Sequence, residues 1–191
     1  LYAANGNSQT LPSETHPSLL FTTADLPQLK DRIDRVPYSS WWQTTLQRAQ
    51  TVPDIVTVER SKARYAKSLA FAYLMTGDET FAQRGKELLL EMKFPPQGGD
   101  LGEPHNEGEV VALYAQAYDM LHDFLSADAA SLAAVRAILA EEAARLMKGI
   151  VVQEINLGFV TIKLRLHETP HIDNWHLRAY GGLGLAALAL A

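Results

Sequence analysis

"SKARYAKSLAFAYLMTGDETFAQRGKELLLEM", residues 61–92, decides the fold class. Ala66, Leu69, Ala70, Tyr73 and Leu74 recur with 3.6-residue spacing, the stripe of an amphipathic helix. Gly77 ends that helix and Asp78 can cap the next one, which makes a tight helical hairpin. Phe81, Gly85, Leu88, Leu89 and Met92 form the stripe of the returning helix.

The flanking segments follow the same plan. "TTADLPQLKDRIDR" opens with Thr22 and Asp25 in capping-box spacing, and Pro27 is tolerable in a first turn. "SSWWQTTLQRAQ" predicts a second short helix closed by Pro53, with the Trp41–Trp42 pair in its core and one ring available to a sugar. The Pro/Gly-rich "KFPPQGGDLGEPHNEGE" is a loop that no helix crosses. After it, Asn106 and Glu109 form an expected N-cap pair for a helix lined by Val110, Tyr114, Ala117, Leu121 and Phe124. Ser126 is expected to start a long helix carrying Leu132, Val135, Leu139 and Leu146. "VTIKLRLH", residues 160–167, alternates apolar and polar side chains and predicts a short β-ribbon or extended arm near 158–168.

Composition narrows the class. A chain of 191 residues with 47% hydrophobic and 20% charged residues can bury one core. A net charge of −5 without a basic run argues against nucleic acid, and the absence of cysteine excludes disulfides and thiolate chemistry. The longest apolar run, 181–191, is about half of the ~20 residues a membrane span requires. No cofactor is expected, and the spacing of His167, His171 and His176 matches no strong metal pattern.

The chain's second informative stretch is "HIDNWHLRAYGGLGLAALALA", residues 171–191. A polar cluster leads into a helix whose Gly181, Gly182 and Gly184 each cost up to ~1 kcal/mol relative to Ala. Such a helix is expected only where neighbouring backbones approach closely. That favours a toroid of inner and outer helices over an open solenoid. The expected fold is therefore all-α: antiparallel hairpins forming part of an incomplete α/α toroid over 16–191, after an extended or disordered tail over 1–15.

"HPSLLFTTADLPQLKDRI", "LAFAYLMTGDETFAQRGKELL", "AYDMLHDFLS" and "NWHLRAYGGLGLAALAL" together resemble the N-terminal helical domain of the heparinase II/III-like and alginate-lyase-like polysaccharide lyases. The resemblance implies β-elimination on a uronate-containing polysaccharide such as alginate or a glycosaminoglycan. It implies a downstream β-sandwich domain, a chain truncated at its C-terminal end, and a periplasmic or secreted bacterial protein. It also implies that Asn174 neutralises the sugar carboxylate with His176 beside it, although Trp175 splits a pair that is commonly adjacent. The family's downstream Tyr and His fall beyond Ala191, so the catalytic set is expected to be incomplete.

The residues themselves carry readings of both kinds. Asn174 suits a carboxylate neutraliser or an N-cap, because a first helical turn offers free N–H groups and a positive dipole end. His176 suits a general base or a buried, hydrogen-bonded histidine. Trp175, Arg178, His171 and His105 are candidate substrate-binding residues; for Trp175 the alternative is hydrophobic anchoring, and for Arg178 an outward-facing charge. Tyr180 reads as core. Glu103, His105, Glu107 and Glu109 read as loop and helix start, or as the rim of a cleft. Two other functions stay open: a glycoside hydrolase, which needs two facing carboxylates among Asp100, Glu103, Asp119 and Asp173, or a non-catalytic carbohydrate-binding or scaffold module.

Overall fold

The computed structural model describes residues 15–94, 104–151, 153–156, 161–164 and 174–191. A short 3-10 turn, Thr23–Asp25, leads into α1 (Leu26–Arg32), followed by α2 (Tyr38–Gln50), α3 (Glu59–Thr76), α4 (Glu79–Leu90), α5 (Pro104–Ser126) and α6 (Ala129–Val151). Strands β1 (Gln153–Asn156) and β2 (Thr161–Leu164) form an antiparallel ribbon, and α7 (Asn174–Leu190) follows. The tail 1–14 lies outside the described residues.

The start signals are local chemistry. The Asp25 carboxylate accepts from the Thr22 N–H and hydroxyl, both at 2.8 Å. Gly77 sits at φ +77°, where a side chain is strained, and Asp78 Oδ1 accepts the Thr80 N–H at 2.9 Å. Two expected starts move. Helix α5 begins at Pro104, so Asn106 lies inside it rather than capping it. Ser126 closes α5 instead of opening α6, donating its hydroxyl to the His122 carbonyl; Asp128 caps α6, its Oδ1 accepting the Ala130 and Ser131 N–H groups at 3.2 and 3.3 Å while Oδ2 accepts the Ser131 hydroxyl at 2.6 Å. An aspartate has two acceptor oxygens for the free N–H groups of the first turn, and a serine hydroxyl one oxygen.

Packing follows from which faces are apolar. Arg60 and Arg64 on α3 meet Asn106 and Glu109 on α5 in ascending order, so the two helices run parallel. Glu107 and Tyr118 on α5 meet Arg145 and Arg136 on α6 in descending order, so these are antiparallel. Arg136 also donates to the Leu190 carbonyl at the far end of α7, which makes α7 antiparallel to α6 and parallel to α5. The result is one layer of parallel helices, α3, α5 and α7, with α4 and α6 returning behind it. Helix α5 is enclosed on most sides: Val110, Val111, Tyr114, Ala117, Tyr118, Leu121 and Leu125 are all buried. Each large apolar side chain removed from water there contributes about 1.5–3 kcal/mol.

Helix α7 divides by face. Gly182 packs directly on Gly108 of α5: a Cβ built there would lie 2.1 Å from the Gly108 carbonyl oxygen. Gly181 and Gly184 meet nothing, and Leu177, Tyr180 and Leu188 are exposed. The expectation of a helix enclosed on all sides thus holds for one glycine of three, and Tyr180 is not core. The reason is periodicity: residues 177, 180, 181, 184 and 188 share one face of the helix, and α5 and α6 cover the other. The expected ribbon exists, with β2 inside the alternating stretch and β1 upstream of it.

Candidate functional site

The parallel arrangement of α3, α5 and α7 brings three arginines to one end of the layer. Glu109 Oε1 accepts from Arg64 at 2.6 Å, while Arg60 Nε lies 3.8 Å and Arg178 3.9 Å from its other oxygen. Hydrogen bonding from Arg64 and the surrounding guanidinium charge hold the Glu109 carboxyl below the usual range. Arg60 also donates to Asn106 Oδ1 at 2.6 Å, whereas its Nε is buried with no hydrogen-bond partner among the described residues. Among the described residues, one carboxylate shared by three guanidinium groups leaves a local positive surplus in an acidic protein.

Each expected site residue has a definite status. Arg178 is at this cluster, half-exposed, so its outward-facing and carboxylate-binding readings meet in one position. Asn174, Trp175 and His176 form the first turn of α7, one turn before Arg178, but their side chains lie outside the described residues. His105 is in the first turn of α5, with its side chain likewise outside them, and His171 lies wholly outside. Trp42 is buried in the α2 interface while Trp41 is 62% exposed. Arg60 and Arg64 were not singled out from sequence, although their i, i+4 spacing continues on the same face to Lys67 and marks a basic stripe on α3.

The alternating acidic run at the start of α5 splits between two faces. Glu109 points to the arginines, whereas Glu107 is buried and meets Arg145 at 3.2 Å; Arg145 also reaches Glu142 at 2.7 Å. Burial pushes both the Glu107 and Glu142 carboxyls above the usual range, with Arg145 opposing the shift. Neither carboxyl therefore faces a rim. Ionised, they penalise the native state; as pH falls through their raised pKa the native state takes up protons first, so this pair's contribution improves toward acid. Arg145→Met exaggerates the trend. We expect a loss of about 3 kcal/mol near pH 7, part of it recovered near pH 5.5, when urea midpoints are compared with wild type at each pH. An identical deficit at both pH values would rule out this account. Wild type is the reference because the lowered carboxyls of Asp25, Asp78 and Asp128 weaken both proteins alike in acid.

Asp119, a candidate for paired-carboxylate hydrolysis, has a different task. It is 1% exposed and accepts from His16 Nδ1 at 2.7 Å and from the backbone N–H groups of Ser18 and Leu19 at 3.0 Å. His16 stacks on His122 at 4.0 Å, and burial, then the neighbouring His16, holds the His122 pKa below its ordinary value. This buried carboxylate straps residues 16–19 across α5. Asp100, Glu103 and Asp173 lie outside the described residues.

Among the described residues no group of His, Asp and Glu could hold a metal, and no helix is long and apolar enough to cross a membrane. No family model matches the chain, and no curated protein is significantly similar to it.

Proposed function

We propose that the protein is the helical part of a polysaccharide lyase that cleaves a uronate-containing anionic polysaccharide by β-elimination. The observation that carries this reading is the Arg60–Arg64–Arg178 cluster gathered around Glu109 at the end of the layer where α7 begins. Removing a proton next to a carboxylate builds charge on that carboxylate, so donors that strengthen their hold as charge develops lower the barrier. Guanidinium groups offer forked donors to a sugar carboxylate, and the first turn of α7 adds free N–H groups and a positive dipole end. Asn174 neutralises the carboxylate in this scheme and His176 assists as base or second donor; Trp175, His171 and His105 contact the sugar chain. The two-layer arrangement of α3, α5 and α7 against α4 and α6 supports reading the fold as part of an α/α toroid, and the proposal carries with it a β-sandwich domain in the same polypeptide and export from a bacterial cell.

The test is incubation of the full-length protein with alginate or a glycosaminoglycan, followed in the ultraviolet for the unsaturated uronate. The chromophore is expected, with about a hundredfold loss of rate in Asn174→Ala. Reducing ends without the chromophore would replace elimination by hydrolysis. Binding that survives Asn174→Ala and His176→Ala, with no product, would leave a non-catalytic carbohydrate-binding module.

A further inference from the structure

The basic stripe of α3 extends past the arginine cluster. Arg60, Arg64, Lys67 and Phe71 occupy i, i+4, i+7 and i+11, a single face about 16 Å long. Beyond Arg64 this face forms the floor of an open cleft of about 460 Å³, whose walls include Phe21 from the N-terminal strap, Arg48 from α2 and Leu113 from α5. Its electrostatics are unbalanced. Lys67 is half-buried, and burial, unopposed by any carboxylate among the described residues, pulls its pKa down. Neither Lys67 nor Arg48 has an ion-pair or hydrogen-bond partner among the described residues. A partly desolvated ammonium without a counter-charge is unfavourable in the empty cleft, and an incoming anion relieves it. The apolar walls lower the local dielectric and strengthen that attraction.

We infer that this cleft is a second anion-binding subsite, in which Lys67 and Arg48 hold a carboxylate of an acidic oligosaccharide whose neighbouring unit lies at the Arg60–Arg64–Arg178 cluster. Arg64 borders both sites and makes them continuous. Phe71 and Phe21 offer apolar surface to the sugar between its charged groups. The ligand identity rests on the lyase reading; the anion site rests on the cleft itself. The ligand must therefore carry charge on more than one unit, so a chain of several uronates binds more tightly than a single one.

Titration calorimetry with an oligouronate, with its carboxyl-reduced neutral analogue and with inorganic sulfate tests this. The oligouronate is expected to bind, the neutral analogue is not, and Lys67→Met with Arg48→Met weakens oligouronate binding about tenfold or more. Lys67→Arg, which keeps the charge, retains most of the affinity, and unchanged thermal unfolding of each variant confirms its fold. Equal binding of oligouronate by the double variant, or equal binding of the neutral analogue by wild type, overturns the subsite. Lys67-dependent binding of sulfate alone overturns the sugar assignment. Because binding is the readout, a Lys67-dependent oligouronate affinity in a full-length protein that yields no chromophore sinks the lyase reading and leaves the subsite standing; chromophore from the full-length protein with a silent double variant does the reverse.

Discussion

Gly182→Ala is expected to destabilise the protein by about 3 kcal/mol, while Gly181→Ala and Gly184→Ala, its neighbours in the same helix, stabilise it. The added methyl at 182 would sit 2.1 Å from the Gly108 carbonyl oxygen and 2.7 Å from two further Gly108 backbone atoms. No rotamer change relieves a clash with backbone, so α7 must move off α5. At 181 and 184 a Cβ meets nothing, and only the helix propensity changes, by up to about 1 kcal/mol each in favour of Ala. For a chain of this size each kcal/mol moves the melting temperature by roughly 2–4 °C. Thermal unfolding should therefore fall by roughly 6–12 °C for Gly182→Ala and rise for the other two. A rise at all three positions would show that α5 and α7 do not cross at Gly108 and Gly182. The arginine cluster would lose its basis with them, since that crossing sets Arg178 beside Glu109.

Asp119→Ala is expected to cost about 3 kcal/mol or more and to release the N-terminal strap. The substitution removes the acceptor of the largely buried His16 Nδ1 and of the Ser18 and Leu19 N–H groups. Asp119→Asn keeps one acceptor oxygen and should cost less. Limited proteolysis separates this from general unfolding: cleavage near residues 16–21 should accelerate in Asp119→Ala under conditions where the α3–α4 hairpin stays protected. A strap that stays protected in the variant would mean that Leu19 and Phe21, packed against the core, hold it without the carboxylate. Release has a functional consequence too, because Phe21 is a wall of the Lys67 cleft.

Local chemistry made much of the fold legible. The hairpin at Gly77–Asp78, the capping box at Thr22 and Asp25 and the stripes of α3 to α6 depend on residues within one or two turns of one another, and the sequence states such relations directly. Asn106 and Ser126 misled because a good cap residue near a helix end has competing uses: Asn106 is taken by Arg60 and Ser126 by a carbonyl of its own helix. The basic stripe was visible as spacing along α3, but its significance was not, since an i, i+4, i+7 row of cations on a lone helix is ordinarily a solvated face.

What the chain determined by itself is the break between α3 and α4 at Gly77–Asp78, the capped start at Thr22–Asp25 and the apolar faces of α3 to α6, because dihedral preferences and burial patterns act over a few residues. Only the tertiary structure decided which of three neighbouring glycines is needed, why Glu107 and Glu109 part company, and that Asp119 serves a strap 100 residues away. It also decided that Arg178 stands beside Arg60 and Arg64. Those relations are set by how parallel helices meet. Charge and close approach depend on distances in space, which spacing along the sequence does not encode.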